Sequence, residues 1–390
     1  MADIVDLAAY GARFTTDPYS VYADLRARGP VHHVRFPPPD DADDLYLIVG
    51  YEEARAALAD PRLAKSAATV GVLLPEEEAL GTNLLMADPP QHTRLRKLIA
   101  REFTARRVEA LRPRIQEITE GLLDEMLAAG DRADLVEAFA FPLPMTVICE
   151  LLGVPDIDRA EFRRMSNDVV APPTVEVWNT ALADMAAYLD ALIEAKRAAA
   201  PGEDLLGALI RTTAEDGDRL SAGELRAMAF LLLVAGHETT VSLIAGAVHA
   251  LLTHPLRADM GLLDGAVEEA LRHEGPVANA THRFAAEPFE IGGTVIPAGS
   301  AVIVSLAGAD RDPDRFPAPD DFDIHRAPRG HMAFGHGIHF CLGAPLARIE
   351  GKVALRSLLE RCPDLALDGT PGEWKPGMLM RSRRHLGVRW

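Results

Sequence analysis

Cysteine is scarce in this chain of 390 residues, with Cys149, Cys341 and Cys362 the only three. An odd, widely spaced set excludes a disulfide framework, leaves at least one thiol free and points to a reducing compartment. Positive charge is short as well: 40 Lys and Arg stand against 58 Asp and Glu, a formal net charge of −18 at pH 7. Such a surface repels a phosphate backbone, so no nucleic-acid partner is expected. The N-terminus lacks a basic leader, since Asp3 and Asp6 stand in its first ten residues, and no unbroken apolar run reaches the ~18 residues of a membrane span. A cytoplasmic protein without a membrane anchor is the expectation. Repeats, low-complexity tracts and linkers are missing too, which favours one continuous domain over 1–390. What is present, 48% hydrophobic and 25% charged residues, suffices for a large core around a buried ligand.

Helical periodicity dominates. Asp17-Pro18 places an N-cap before proline at the first helical position, opening a segment that ends at Gly29-Pro30. Similar patterns fill 52–59, 106–129, 174–199 and 342–361. Ser221-Ala-Gly-Glu224 has capping-box spacing and launches the longest pattern, through Leu231, Val234, Val241 and Val248 to about Leu252. Strands are expected to be few and late, at 46–49, 290–296 around Gly292-Gly293, 301–306 and 386–389. The fold class that follows is mainly α with small β-sheets.

Chemistry concentrates in Phe334-Gly-His-Gly-Ile-His-Phe-Cys341-Leu-Gly343, a glycine-rich loop leading to a cysteine just before an amphipathic helix. Unpaired N–H groups at a helix start favour thiolate over thiol. Gly335 and Gly337 allow a tight turn, and Gly343 removes a side chain where something flat must approach. A dinucleotide fingerprint fails because Phe340 stands where its third glycine belongs. Zinc held by His336, His339 and Cys341 lacks a second ligand pair at the required spacing.

A second group, Ala235-Gly236-His237-Glu238-Thr239-Thr240, interrupts the long apolar helix. A metalloprotease helix is excluded, because Val241 occupies the place of its second histidine. Glu238 and Thr239, with Gly236 permitting a local bulge, suit a carboxylate and hydroxyl passing protons into a dry pocket. The plainer alternative is a threonine bonding back to a carbonyl. Glu269 and Arg272 stand at i and i+3 as a charge pair. Between Arg94 and Arg114 eight basic residues face only Glu102 and Glu109, a local contrast that suits an acidic partner.

Together these residues resemble the cytochrome P450 superfamily of haem-thiolate monooxygenases. Phe334-x-x-Gly337-x-x-x-Cys341-x-Gly343 is similar to its cysteine loop, Ala235-Gly236-x-Glu238-Thr239 to its oxygen-activating helix and Glu269-x-x-Arg272 to its core ion pair. Within it, the chain resembles soluble actinomycete hydroxylases of macrolides and related polyketides. The resemblance implies the P450 fold, with the long helix over haem b, and Cys341 as the axial metal ligand. It implies that His92, Arg96, Arg283 and His339 pair with the haem propionates and that Phe334, Gly335 and Gly343 complete the cofactor cradle. Glu238 and Thr239 would relay protons, with O2 as oxidant and electrons from ferredoxin and its NAD(P)H-dependent reductase. Substrate-facing positions map onto Leu84, Leu85, Val234, Ala235, Val277, Ala278, Leu379 and Met380, an aliphatic lining suited to a bulky apolar molecule.

The implied function is hydroxylation or epoxidation of a macrolide-like polyketide in antibiotic biosynthesis. The alternatives are a steroid, terpene or fatty-acid hydroxylase and, in another class, a haem-binding protein without turnover. Glu76, Glu77 and Glu78 could attract a cationic amino sugar or form a solvated acidic loop. Two departures from the family pattern stand out. Asp321 occupies a place where relatives often have arginine or histidine, so His325 or Arg326 is left to complete the Glu269–Arg272 network. The segment at His254-Pro255-Leu256-Arg257 is several residues short.

Overall fold

The computed structural model describes residues 4–38, 44–71, 79–101, 103–155, 159–170, 172, 174–199, 202, 204–211, 219–254, 260–326, 329–370, 372–375 and 377–390. The longer helices are α1 (Pro18–Arg26), α2 (Tyr51–Ala59), α3 (Gln91–Ala100), α4 (Arg112–Ala128), α5 (Pro142–Leu152), α6 (Arg159–Val170), α7 (Val175–Ala198), α8 (Ala222–Thr253), α9 (Leu263–His273) and α10 (Ala344–Arg361). Local signals start three of them. Asp17 accepts from Ser20 N–H ahead of Pro18 in α1, and Thr174 accepts from Val177 N–H in α7. Ser221 and Glu224 close a reciprocal capping box on α8, a device worth about 1 kcal/mol. The continuous pattern expected over 106–129 is broken at Leu111, after which Pro113 opens α4.

α8 runs through the main hydrophobic cluster and packs against α5, α7, α9 and α10. Its length and composition alone would let it cross a membrane, but 67% of its most apolar stretch is buried in this protein. Averaging over His237–Thr240 is what lets it pass that test, although no unbroken apolar run does. Gly236 does not open a bulge: the helix continues through it, and an added Cβ would lie 2.8 Å from Ile148 Cδ1. Glycine there brings α8 onto α5.

The strands are β1 (Val5–Asp6), β2 (Val31–Arg35), β3 (Leu45–Ile48), β4 (Leu63–Ala64), β5 (Arg132–Asp134), β6 (Arg283–Ala285), β7 (Phe289–Ile291), β8 (Thr294–Ile296), β9 (Ala301–Val304), β10 (Ala366–Leu367) and β11 (Gly387–Arg389). They form a six-stranded sheet in the order β1-β2-β3-β9-β6-β4, a three-stranded sheet β10-β11-β5 and the hairpin β7-β8. The expectation of few, late strands is therefore corrected. β1, β2 and β4 come early, but two of them are two residues long, and His32-His33 interrupt the apolar pattern of the third. Pairing between residues distant in the chain, such as Val5 with Val34 and Leu63 with Ala285, creates them.

Candidate active site

The loop before α10 is shaped by its glycines. Gly335 and Gly337 have φ of 72° and 75°, and a Cβ on Gly337 would lie 2.7 Å from the Leu58 carbonyl of α2. The turn brings Cys341 N–H to the Phe334 carbonyl at 2.9 Å. Arg96 of α3 donates to the Phe340 carbonyl at 2.8 Å. Cys341 retains accessible surface, yet burial raises its thiol pKa, partly offset by Gly343 and Ala344 N–H, Arg96 and Arg348. Both observations fit a sulfur facing a hollow walled by protein. The N–H groups at the helix start thus favour the thiolate, as the position before α10 suggested, while burial acts against it; a cation placed at the sulfur would favour the thiolate further. Phe334 is pinned by Arg348, whose guanidinium lies 4.5 Å from the ring centre and forks onto Glu268 at 2.6 and 2.9 Å.

On α8 most side chains are buried, but Ala235 is exposed and Thr239, one turn on, is partly so. The Thr239 hydroxyl donates to the Ala235 carbonyl at 2.8 Å. Glu238 points inward, 2% exposed, with Oε2 3.5 Å from Lys375 Nζ and Oε1 3.5 Å from His237 Nε2. Burial pushes its pKa up, but His237 and Lys375 more than offset this and hold it below the ordinary carboxylate value. His237 Nδ1 donates to the Leu233 carbonyl at 2.7 Å, and its Nε2 lies 3.1 Å from Ser166 Oγ on α6.

Beside the cysteine loop sits a group of nitrogens with few acceptors. The rings of His92 and His339 meet at a tilt of 57° with centres 4.4 Å apart. Lys65, Arg283 and Arg96 lie close enough to perturb them. Burial and Arg283 push His339 down to about 3, burial takes Arg283 to about 10, and burial with Arg283 holds Lys65 well below the usual lysine value. The nearby Asp88 carboxylate is occupied by Lys65 and Ser66 N–H at 2.9–3.0 Å. His92 Nε2, Arg283 Nε and both His339 ring nitrogens are buried without a partner among the described residues. Unpaired buried donors are costly unless an acceptor fills the space.

Residues 160–256 and 247–370 match the family described as Cytochrome P450. The chain belongs to the cytochrome P450 family. It is 59% identical over 396 residues to cytochrome P450 monooxygenase PikC of Streptomyces venezuelae, covering 99% of this chain and 94% of that protein. It is 46% identical to 6-deoxyerythronolide B hydroxylase of Saccharopolyspora erythraea, over 96% of each. The tirandamycin C-bound P450 monooxygenase TamI superposes with a TM-score of 0.89 at 44% identity, over 99% of each chain. Cytochromes P450 carry haem-thiolate iron, work with redox partners and act on small molecules. The residues of this P450 fit that cofactor: two propionates would supply the acceptors that the orphaned nitrogens lack. A Cβ on Gly343 would lie 3.9 Å from the cysteine sulfur.

The structure separates the remaining positions read from the sequence. Glu269 and Arg272 pair at 2.8 and 2.9 Å, both fully buried. Asp321 contributes only its backbone carbonyl to Arg272, at 3.0 Å. Arg326 instead completes the network, 3.2 Å from Glu269 Oε1, whereas His325 is tied in through its backbone N–H to Asp323. Leu85, Val234, Val277 and Met380 are partly exposed and Leu379 is 38% exposed. Leu84 and Ala278 are less exposed, at 6% each, and pack within hydrophobic clusters. His336, His339 and Cys341 form no metal-binding group; none of three His, Cys, Asp or Glu occurs among the described residues. Glu76–Glu78 and the short segment after His254 lie outside the described residues. Lys65, Glu268, Arg348, Ser166 and Lys375 were missed. Only Lys65, a lone lysine in Leu63-Ala-Lys-Ser-Ala-Ala68, carried a local signal; the others meet partners far along the chain.

Proposed function

We propose that residues 1–390 act as one cytoplasmic catalytic unit that binds haem b through Cys341. It inserts one atom of O2 into a bulky apolar small molecule, by hydroxylation or epoxidation of a macrolide-like polyketide. The observation that carries this reading is the convergence of four unpartnered buried nitrogens beside a cysteine on a glycine-rich loop. His92, Arg96, Arg283 and His339 would hold the propionates by charge-assisted hydrogen bonds. Phe334, fixed by Arg348, shields one side of the sulfur, while Gly335 and Gly343 keep the cradle clear. Haem supplies the iron at which O2 is reduced and its bond split.

The chain supplies the rest. Each turnover consumes two electrons and two protons, releasing one water with the oxygenated product. Glu238 and Thr239 pass the protons, the carboxylate collecting them and the hydroxyl handing them into the hollow. Leu85, Val234, Ala235, Val277, Leu379 and Met380 exclude water and present an aliphatic surface to the substrate. Lys97, Arg101 and Arg106 are exposed near Arg96, which touches the cysteine loop. This basic face suits an acidic ferredoxin, reduced in turn by its NAD(P)H-dependent reductase. The polyketide class is supported by the near full-length identity to PikC and 6-deoxyerythronolide B hydroxylase.

The test is an optical titration of ferric, haem-loaded protein with paired macrolactones, one bearing and one lacking a basic amino sugar. A low-spin to high-spin shift of the Soret band is the expected result. No shift with either, but a shift with a steroid, terpene or fatty acid, would overturn the polyketide reading and keep the enzyme class. Ligand binding without product under any ferredoxin supply would favour a haem protein without turnover.

A further inference from the structure

The C-terminal segment carries a lysine to the buried carboxylate of α8, and several contacts fix how it arrives. Lys375 N–H donates to the Ser382 carbonyl at 2.8 Å. The Ser382 hydroxyl shares a 2.8 Å bond with that of Ser242, which lies 3.1 Å from the Glu238 carbonyl one turn back along α8. Trp374 is gripped by Arg381 and Arg383, whose guanidinium carbons lie 3.5 and 3.8 Å from its ring centre. The backbone at Lys375 and Ser382 is thus tied to the helix turn that carries the acid. Its lysine side chain is 21% exposed, whereas that of Glu238 is 3% exposed.

We propose that Lys375 is a positioning residue for proton delivery: it anchors the Glu238 carboxylate toward a solvent-reachable ammonium and keeps it ready to collect the next proton. The proposal rests on the relay reading of Glu238 and Thr239 given above. The 3.5 Å separation is long for a charge-assisted hydrogen bond, so the carboxylate is held by charge and can still turn away. In each delivery a solvent hydronium gives its proton to the Glu238 carboxylate. The neutral acid passes that proton toward the Thr239 hydroxyl, and the regenerated carboxylate returns to Lys375. Lys375 keeps its own protons throughout.

The ionisable groups acting on Glu238 are His237 from its own helix and Lys375 from the C-terminal segment. His237 also reaches Ser166 and the Leu233 carbonyl, which leaves Lys375 as the partner that connects to solvent. Removing it strips a buried carboxylate of its cationic neighbour, so the acid form persists to higher pH.

The experiment compares Lys375→Met, Lys375→Arg, Glu238→Gln and the Lys375→Met/Glu238→Gln double variant as haem-loaded proteins, checked for equal haem content and substrate affinity. Two quantities are read: product formed per NAD(P)H consumed across pH, and the infrared band of the protonated Glu238 carboxyl in the resting ferric protein. That band is identified by its loss in Glu238→Gln. In Lys375→Met the carboxyl titrates at higher pH than in the parent, product yield per NAD(P)H falls severalfold near neutral pH, and Lys375→Arg restores both. The double variant is no worse than Glu238→Gln alone. Parental titration and yield in Lys375→Met, with Glu238→Gln defective, would overturn the role of Lys375 and leave the relay intact. Additive losses in the double variant would do the same. Parental yield in Glu238→Gln would instead overturn the relay and the proposal with it.

Discussion

Two buried glutamates of this chain, Glu269 and Glu238, are handled in opposite ways. Glu269 takes two bonds from Arg272 at 2.8 and 2.9 Å, one from Arg326 at 3.2 Å and one from Asp323 N–H at 3.0 Å. Arg272 spends its remaining donors on the carbonyls of Asp310, Pro319 and Asp321. Nothing is left over, and the pair ties α9 to the segment leading into the cysteine loop. Glu238 has Lys375 Nζ and His237 Nε2 only at 3.5 Å, and its Oε1 makes no hydrogen bond among the described residues. The lesson is that a saturated buried charge fixes a shape, whereas an under-satisfied one holds a group in readiness. The nitrogens around His339 belong with Glu238 in this respect.

The sharpest way to break the contrast is to remove a saturated partner. Arg272→Met strands a buried carboxylate with only Arg326 and one N–H, a change that costs about 3–5 kcal/mol. It should abolish or severely reduce the yield of folded, haem-loaded protein. Arg326→Met, at a position 14% exposed, should lower the denaturant midpoint by less. Equal effects of the two would remove the argument that saturation matters.

At the under-satisfied cluster the effect should change sign with the cofactor. Arg283→Met relieves repulsion with Lys65 in haem-free protein, whose thermal midpoint should rise or hold. In haem-loaded protein it removes one charged hydrogen bond, worth about 1.5–3 kcal/mol, and haem transfer to an acceptor protein should accelerate about tenfold or more. A loss of stability in both forms would show that Arg283 is structural.

A third contrast is a buried acid with no charge partner among the described residues. Glu350 on α10 is pushed up to about 8 by burial, and its Oε2 is unpaired. Between about pH 4.5 and 8 the unfolded carboxyl is ionised and the folded one is not, so this group lowers stability as pH rises through that window. Glu350→Gln removes the dependence. The variant's denaturant midpoint relative to the parent should climb from pH 4.5 to 8, by at most about 1.4 kcal/mol per unit; a constant difference would contradict the assignment.

How much of this was legible in the sequence depended on chain distance. The cysteine loop, the capping box of α8 and the Glu269–Arg272 pair are local, so residue spacing alone exposes them. Arg326 was one of two candidates, and only its packing against Glu269 decides between it and His325. β4 and β6, and the contacts of Lys65 with Thr281 and of Lys375 with Glu238, join residues far apart in the chain. No periodicity encodes those meetings. The aliphatic positions read as substrate-facing show the same limit from the other side, since such residues look alike whether they line a hollow or fill a core.

The most direct test of the central claim is the optical spectrum of the reduced, carbon monoxide-treated protein, alongside Cys341→His. The account predicts the red-shifted Soret band of thiolate ligation in the parent and its loss, with haem retained, in the variant. A parent spectrum without that band, in haem-replete protein, would contradict it.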